Sequence, residues 1–287
     1  MSPEAVETGA VKPFSDAMRA SVVGPATRGL LGALLFLLST RTADYFAWTI
    51  ATPLTAATLG ANYWASTVLA ILASRERYWA NGRISISVAF VFSPLMTAAT
   101  FLHLGEFHFD AGGVAVVITW FWVLAYGFYP IQLTVQMVQQ LRLPGGDPPR
   151  TDPLPLWVKT VLGAHALVFI PLGVLTFVAP GVGGPLWPWE IGAPLALRAL
   201  SAWVLAFGVG ALHAILENDF DRVKVALWGY PVLGALQLIA LVRFGEVLQT
   251  NEAGWWFYLA FLASAFVLGA YGYVMARRLR SRRAATA

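Results

Sequence analysis

Apolar residues along this chain gather into runs of about 20, long enough to cross a bilayer, parted by short polar breaks. Within a run there is no sustained in-out alternation, and an open sheet cannot satisfy its backbone in lipid, so the runs are read as helices. Eight spans are predicted: Ser21 to Ser39, Pro53 to Ser74, Ile84 to Leu104, Val114 to Val135, Leu156 to Val178, Pro194 to Leu216, Val225 to Val242, and Trp255 to Met275. The first 20 residues lack an apolar core and read as a tail, not a cleaved signal.

The pattern also repeats. At an offset of 141 residues, Leu31, Gly32, Leu34 and Phe36 meet Leu172, Gly173, Leu175 and Phe177. Trp48, Ile50, Pro53 and Leu54 meet Trp189, Ile191, Pro194 and Leu195, a shared W-x-I-x-x-P-L around a helix start. The expected fold is therefore an all-α polytopic membrane protein of eight transmembrane helices, built as two parallel four-helix repeats. Its parts are a tail (1–20), a first repeat (21–141), a Pro/Gly-rich linker (142–155), a second repeat (156–276) and a basic tail (277–287).

Composition agrees: 58% of residues are hydrophobic, 12% are charged, and mean hydropathy is +0.65. Soluble domains carry about twice that charge, roughly 25%. With no cysteine, thiol catalysis, disulfides and thiolate metal ligands are excluded. Of the 19 Lys and Arg, all but Arg41, Arg198 and Arg243 fall on one side of the predicted topology. The positive-inside rule then puts both termini in the cytoplasm, and the bias toward arginine points to a bacterial inner membrane. The basic tail reads as an anchor at anionic lipid, and no nucleic-acid partner is expected.

Candidate chemistry is sparse. In "FLHLGEFHFD", His103, Glu106, His108 and Asp110 are the residue types that bind Zn²⁺ or Mn²⁺. Under the repeat, however, His103 aligns with Arg243, which cannot be a ligand. The preferred reading is a cationic side chain and a glycine at a helix C-terminus. Trp48 and Trp189 read as interfacial anchors, or else as part of an outer vestibule with Asp44, Glu106, Glu190, Arg243 and Glu246. No carboxylate falls near the middle of a span, which disfavours a buried proton relay. The neutral polar groups at depth are Thr55, Thr58, Asn62 and Ser66 in one stripe, with Tyr126, Gln132 and Gln237 on other helices. They form either a close helix seam or the wall of a pathway. His165 and His213 lie at different depths, which argues against a bis-histidine haem, so no cofactor is expected. There is no Gly-rich phosphate loop, H-E-x-x-H or nucleophile elbow.

The leading functional expectation is binding or passage of a small neutral or amphipathic molecule between the two halves. The partners are then the lipid bilayer and a small-molecule ligand, with oligomeric state left open. One alternative is a membrane enzyme or redox subunit with its site at the outer His/Glu/Asp group. The other is a structural or assembly subunit with a packed interior.

Overall fold

The computed structural model describes residues 10–23, 27–248 and 253–285. Among these the chain is all-α, with helices α1 (Asp16–Val23), α2 (Thr27–Leu37), α3 (Thr42–Tyr45), α4 (Pro53–Ser74), α5 (Trp79–Leu102) and α6 (Gly113–Arg142). After the linker come α7 (Leu156–Val178), α8 (Pro180–Gly183), α9 (Pro194–Glu217), α10 (Phe220–Phe244) and α11 (Ala253–Ala285). Seven of these, α4, α5, α6, α7, α9, α10 and α11, are long and apolar enough to cross a membrane. Their outward faces carry bare apolar side chains: Phe128 is 68% exposed and Leu167 77%. Surface of that kind suits lipid, not water.

The eight-span, two-repeat expectation is not met. The first expected span, Ser21 to Ser39, falls on two short helices, α1 and α2. The 11 residues of α2 rise only about 16 Å at 1.5 Å per residue, half of a roughly 30 Å hydrocarbon core. A continuous span there would also have carried Gly24 and Pro25 in its interior, which helices resist. Single features do recur at the 141-residue offset: Trp48 bridges Phe107, and Trp189 bridges Leu248. Among the described residues three long helices precede the linker and four follow it, so these do not form two equal four-span halves.

The basal end of the bundle gathers residues 10–23, the α4–α5 turn and the linker. Lys12 N–H donates to Gly146 O (2.8 Å) and Phe14 N–H to Arg77 O (3.0 Å). From there α1 and α2 travel back along α4 to the opposite, apical end, where the Tyr45 hydroxyl donates to Leu34 O (2.8 Å). The C-terminal part of α11 is also basal, with Tyr271 against Trp157 and Phe220. In the centre α4 packs along α10 and α5 along α9, while α2, α7, α6 and α11 flank α4, α9, α5 and α10 respectively.

Close approach is made by glycine. A Cβ on Gly60 would lie 2.5 Å from Phe36 N and 2.7 Å from Gly32 O, so α2 can sit on α4 only without a side chain there. Gly173 and Gly208 serve the α7–α9 contact in the same way. Small residues at a helix interface are how membrane helices gain van der Waals contact without a hydrophobic driving force.

Helix ends are closed by arginines from elsewhere in the chain. Arg19 reaches the carbonyls of Ser74 and Glu76 at the end of α4, and Arg198 donates to Phe177 O (3.0 Å) at the end of α7. Arg150 donates to Glu217 O (2.7 Å) at the end of α9. Arg243 was expected to neighbour the carbonyls of its own helix; its guanidinium instead reaches Phe36 O and Leu37 O of α2. Carbonyls left bare at membrane depth are costly, and a long cationic side chain from the adjacent helix satisfies them while complementing the helix dipole. Starts follow local rules: Pro53 and Pro194 open α4 and α9, where a missing N–H costs nothing. Asp219 caps α10 through Arg222 N–H (3.3 Å), just after Asn218 ends α9 in the left-handed region (φ 45°).

Candidate functional site

The polar stripe of α4 is buried at Thr55, Thr58 and Asn62 and half-buried at Ser66, and it is turned toward the helices that follow the linker. At the apical end the Trp189 Nε1–H donates to Thr55 Oγ1 (2.9 Å). Two turns deeper, Gln237 Nε2–H of α10 donates to Asn62 Oδ1 (3.0 Å) and approaches Thr58 O (3.5 Å). Tyr258 of α11 closes the group by donating to Gln237 Oε1 (2.6 Å). Two of the polar residues singled out from sequence, Asn62 and Gln237, thus meet directly. Tyr258 has no distinguishing sequence signal, since its role depends on the rotation of α11 against α10. An interhelical hydrogen bond of this kind contributes only about 0.6 kcal/mol on average in membranes, so the cluster fixes register more than it adds stability.

Ser66, one turn below Asn62, lines a half-open apolar cavity of about 60 Å³. Its other walls are Val88 of α5, Leu162 of α7, Phe207 and Gly210 of α9, and Gly229, Tyr230 and Leu233 of α10. Leu233 in turn lies one turn below Gln237, so the cavity continues the polar cluster on both α4 and α10. The cavity exists because the walls are small: Ala65 on α4, Gly210, Ala211 and Ala214 on α9, and Ala226 and Gly229 on α10.

Tyr126 is buried but belongs to a different group. Its hydroxyl pairs with that of Tyr63 (2.6 Å) within an aromatic core. Trp203 stacks on Phe92 there (centroids 3.9 Å, 25°) and meets Tyr63 edge-on (5.3 Å, 89°). Gln132 is exposed on α6 and does not join the stripe.

At the apical end the structure revises the reading of the tryptophans. Trp48 and Trp189 are each 1% exposed and plug the bundle, so they are not headgroup anchors. The loops before α4 and α9 fold inward; Trp48 packs on Phe46, Phe107 and Trp122, with centroids 4.6 to 5.3 Å away. Each aromatic pair adds about 0.5–1.5 kcal/mol beyond area burial, set against a Trp48 Nε1–H that finds no hydrogen-bond partner among the described residues. Around these plugs Asp44, Glu106, Glu190, Arg243 and Glu246 are exposed. Asp44 is bonded to Arg41 (2.9 Å), and Glu190 O accepts from the Thr52 hydroxyl (2.8 Å). A larger depression of about 390 Å³ lies here, but it is lined only by residues between Pro180 and Leu197 and does not reach the α4–α10 interface.

The histidines of "FLHLGEFHFD" point to different partners. Arg198 donates to His103 Nε2, so the ring proton is on Nδ1, which donates to Glu106 Oε1 (2.7 Å). His108 donates from Nδ1 to Phe46 O (2.9 Å) and meets Thr49 Oγ1 through Nε2 (3.0 Å), stapling the loop before α4. Asp110 is exposed. Among the described residues no three His, Asp or Glu side chains converge as metal ligands do.

The densest polar group is basal and joins residues far apart in sequence. Arg83 of α5 grips Glu217 of α9 and, with bonds of 2.9 and 2.7 Å, both oxygens of Asp147 in the linker. Arg222 of α10 reaches Glu217 Oε2 (3.0 Å), Asp147 Oδ2 (3.2 Å) and Pro148 O. His213 Nε2 meets Glu217 Oε1 (3.0 Å), and Ser87 Oγ meets His213 Nδ1 (2.6 Å). The sequence carried no motif for this cluster. With the geometry in hand, the described residues define an all-α protein with seven membrane-length helices, a polar seam between α4, α10 and α11, and a tied basal end. Comparison with known protein families, with characterised proteins and with solved structures finds no match.

Proposed function

We propose that the protein is a multi-pass membrane protein that binds a small neutral or amphipathic molecule between the helices before and after the linker. The apolar part of the ligand occupies the cavity beside Ser66 and Tyr230, and its polar group exchanges hydrogen bonds with the Asn62–Gln237 pair. The observation that carries this reading is the continuity of cavity and polar cluster on the same faces of α4 and α10. The cavity is smaller than the roughly 150 Å³ that admits benzene, so it suits the end of an alkyl chain or a small apolar group.

Binding proceeds without a carboxylate at depth: among the described residues the buried acids are Glu217 and Asp219, both basal. The basal end faces the cytoplasm in this reading, with both termini. The clustering there of Lys12, Arg19, Arg77, Arg150 and Lys224 supports it, against Arg41, Arg198 and Arg243 at the apical end.

Ser66→Leu tests the proposal. The Ser66 hydroxyl bonds only back to Tyr63 O (2.8 Å), and leucine is a strong helix former, so the change fills the cavity without stranding a partner. Native mass spectrometry of gently solubilised wild type is expected to show a bound mass that Ser66→Leu lacks, at unchanged or higher melting temperature. A wild type without adduct, or an adduct retained by Ser66→Leu, overturns the reading. The packed aromatic core around Trp203 would then favour a purely structural role.

A further inference from the structure

The hydrogen bonds of His213 have a direction that the architecture does not require. The Glu217 carboxylate, held by Arg83 and Arg222, only accepts hydrogen bonds, so the contact from His213 Nε2 (3.0 Å) places a proton on that nitrogen. The second ring nitrogen, Nδ1, is then a bare acceptor. Ser87 Oγ stands 2.6 Å from it, nearer than its other neighbour, Arg83 O at 3.2 Å. The single hydroxyl proton of Ser87 therefore points at the imidazole.

This is the relay of a serine nucleophile: a carboxylate fixes the histidine tautomer, the histidine accepts from the serine, and the serine oxygen gains nucleophilicity. The two ring nitrogens exchange roles relative to the serine-protease arrangement, which leaves the logic intact. Arg83 and Arg222 stand against Asp147 and Glu217, with Arg150 beyond them on Glu217 O, and the carboxylate remains the immediate charged neighbour of His213 Nε2.

We propose that Ser87 is a catalytic nucleophile with His213 as its general base and Glu217 as the positioning residue, acting on esters of amphipathic molecules at the basal membrane surface. Position sets the substrate class. Ser87 lies eight residues into α5, about 12 Å along its axis, and His213 one turn from the end of α9. Both are half-buried, near the basal ends of their helices. Their sequence neighbours Val88 and Ala214 line the apolar cavity, next to which an acyl chain can lie.

In the reaction, Ser87 Oγ bonds to the ester carbonyl carbon and its proton passes to His213 Nδ1. The tetrahedral intermediate then expels the alcohol, which takes that proton. Water, deprotonated by the same nitrogen, cleaves the acyl-serine to the carboxylic acid and restores the hydroxyl. This inference does not depend on occupancy of the cavity.

The test is a fluorophosphonate probe on the full-length protein in lipid nanodiscs; the serine oxygen bonds to phosphorus and fluoride leaves. The chain has no cysteine, so thiol background is absent. One adduct is expected, mapped to Ser87, absent in Ser87→Ala and formed at least about 100-fold more slowly in folded His213→Gln, the lower end of general-base contributions. In folded Glu217→Gln, labelling should slow and its pH profile should move, and Glu217→Asp should recover part of both; a carboxylate that only held Arg83 and Arg222 would change the melting temperature and leave the pH profile in place. A wild type that resists the probe, or Ser87→Ala and His213→Gln proteins labelled as fast as wild type, overturns the assignment. Retention of the cavity adduct in that same preparation would leave the binding proposal standing by itself.

Discussion

Replacing Glu217 by alanine is expected to destabilise the protein by about 3–5 kcal/mol, the usual loss when one partner of a buried ion pair is removed. Glu217 is 3% exposed and Arg222 4%. Without the carboxylate, Arg83 and Arg222 share Asp147 alone, and Asp147 sits in the linker where water reaches it. The deficit is an uncompensated charge at the edge of lipid, so added salt should restore little of it. The change also releases the tie between α9, α5, α10 and the linker, which should make the chain at residues 143–155 more accessible to protease. Denaturant or thermal unfolding in detergent measures the first effect, and a loss below about 1 kcal/mol, the range of exposed pairs, would remove the cluster from any stabilising role.

Gly60→Ala should separate α2 from α4. The added methyl would fall 2.5 Å from Phe36 N and 2.7 Å from Gly32 O, both backbone atoms that cannot rotate away. Overpacking costs about 1–3 kcal/mol when side chains can adjust, and here a helix must move instead. The displacement can be read directly. A Cβ at Gly29 lies 4.0 Å from the Cβ of Thr67, within the spacing a disulfide accepts. In a chain otherwise free of cysteine, Gly29→Cys with Thr67→Cys should cross-link readily, and adding Gly60→Ala should abolish the bond. Gly105→Ala is the control, since nothing lies within 4 Å of its Cβ. Cross-linking that survives Gly60→Ala would mean that α2 does not depend on the glycine contact.

Hydropathy located the long helices well because lipid imposes one length and one composition on every span. Pro53 to Ser74 and Leu156 to Val178 coincide with α4 and α7. The same uniformity hid the failure at α1 and α2, since an apolar run of span length read as one helix despite Gly24 and Pro25. Helix rotation was equally hidden. Lipid-facing and core-facing positions are both apolar, so nothing in the sequence separated the buried Trp48 and Trp189 from tryptophans at a headgroup belt. Where a stripe was polar, rotation became legible: Thr55, Thr58 and Asn62 do face inward, and Asn62 found Gln237. The basal cluster was illegible for another reason. Ser87 and His213 stand 126 residues apart, and Arg83 and Glu217 134 apart, so only the pairing of α5 with α9 brings their chemistry together.

Single-particle imaging of the wild-type protein in native-lipid nanodiscs tests the central claim most directly. The expected map shows non-protein density against Ser66, Gly210, Tyr230 and Leu233, with a polar end directed at the Asn62 and Gln237 amides. A map in which α4 and α10 keep the same separation while that space is empty, or is closed by Leu69 and Phe207, would contradict ligand binding between the two sets of helices.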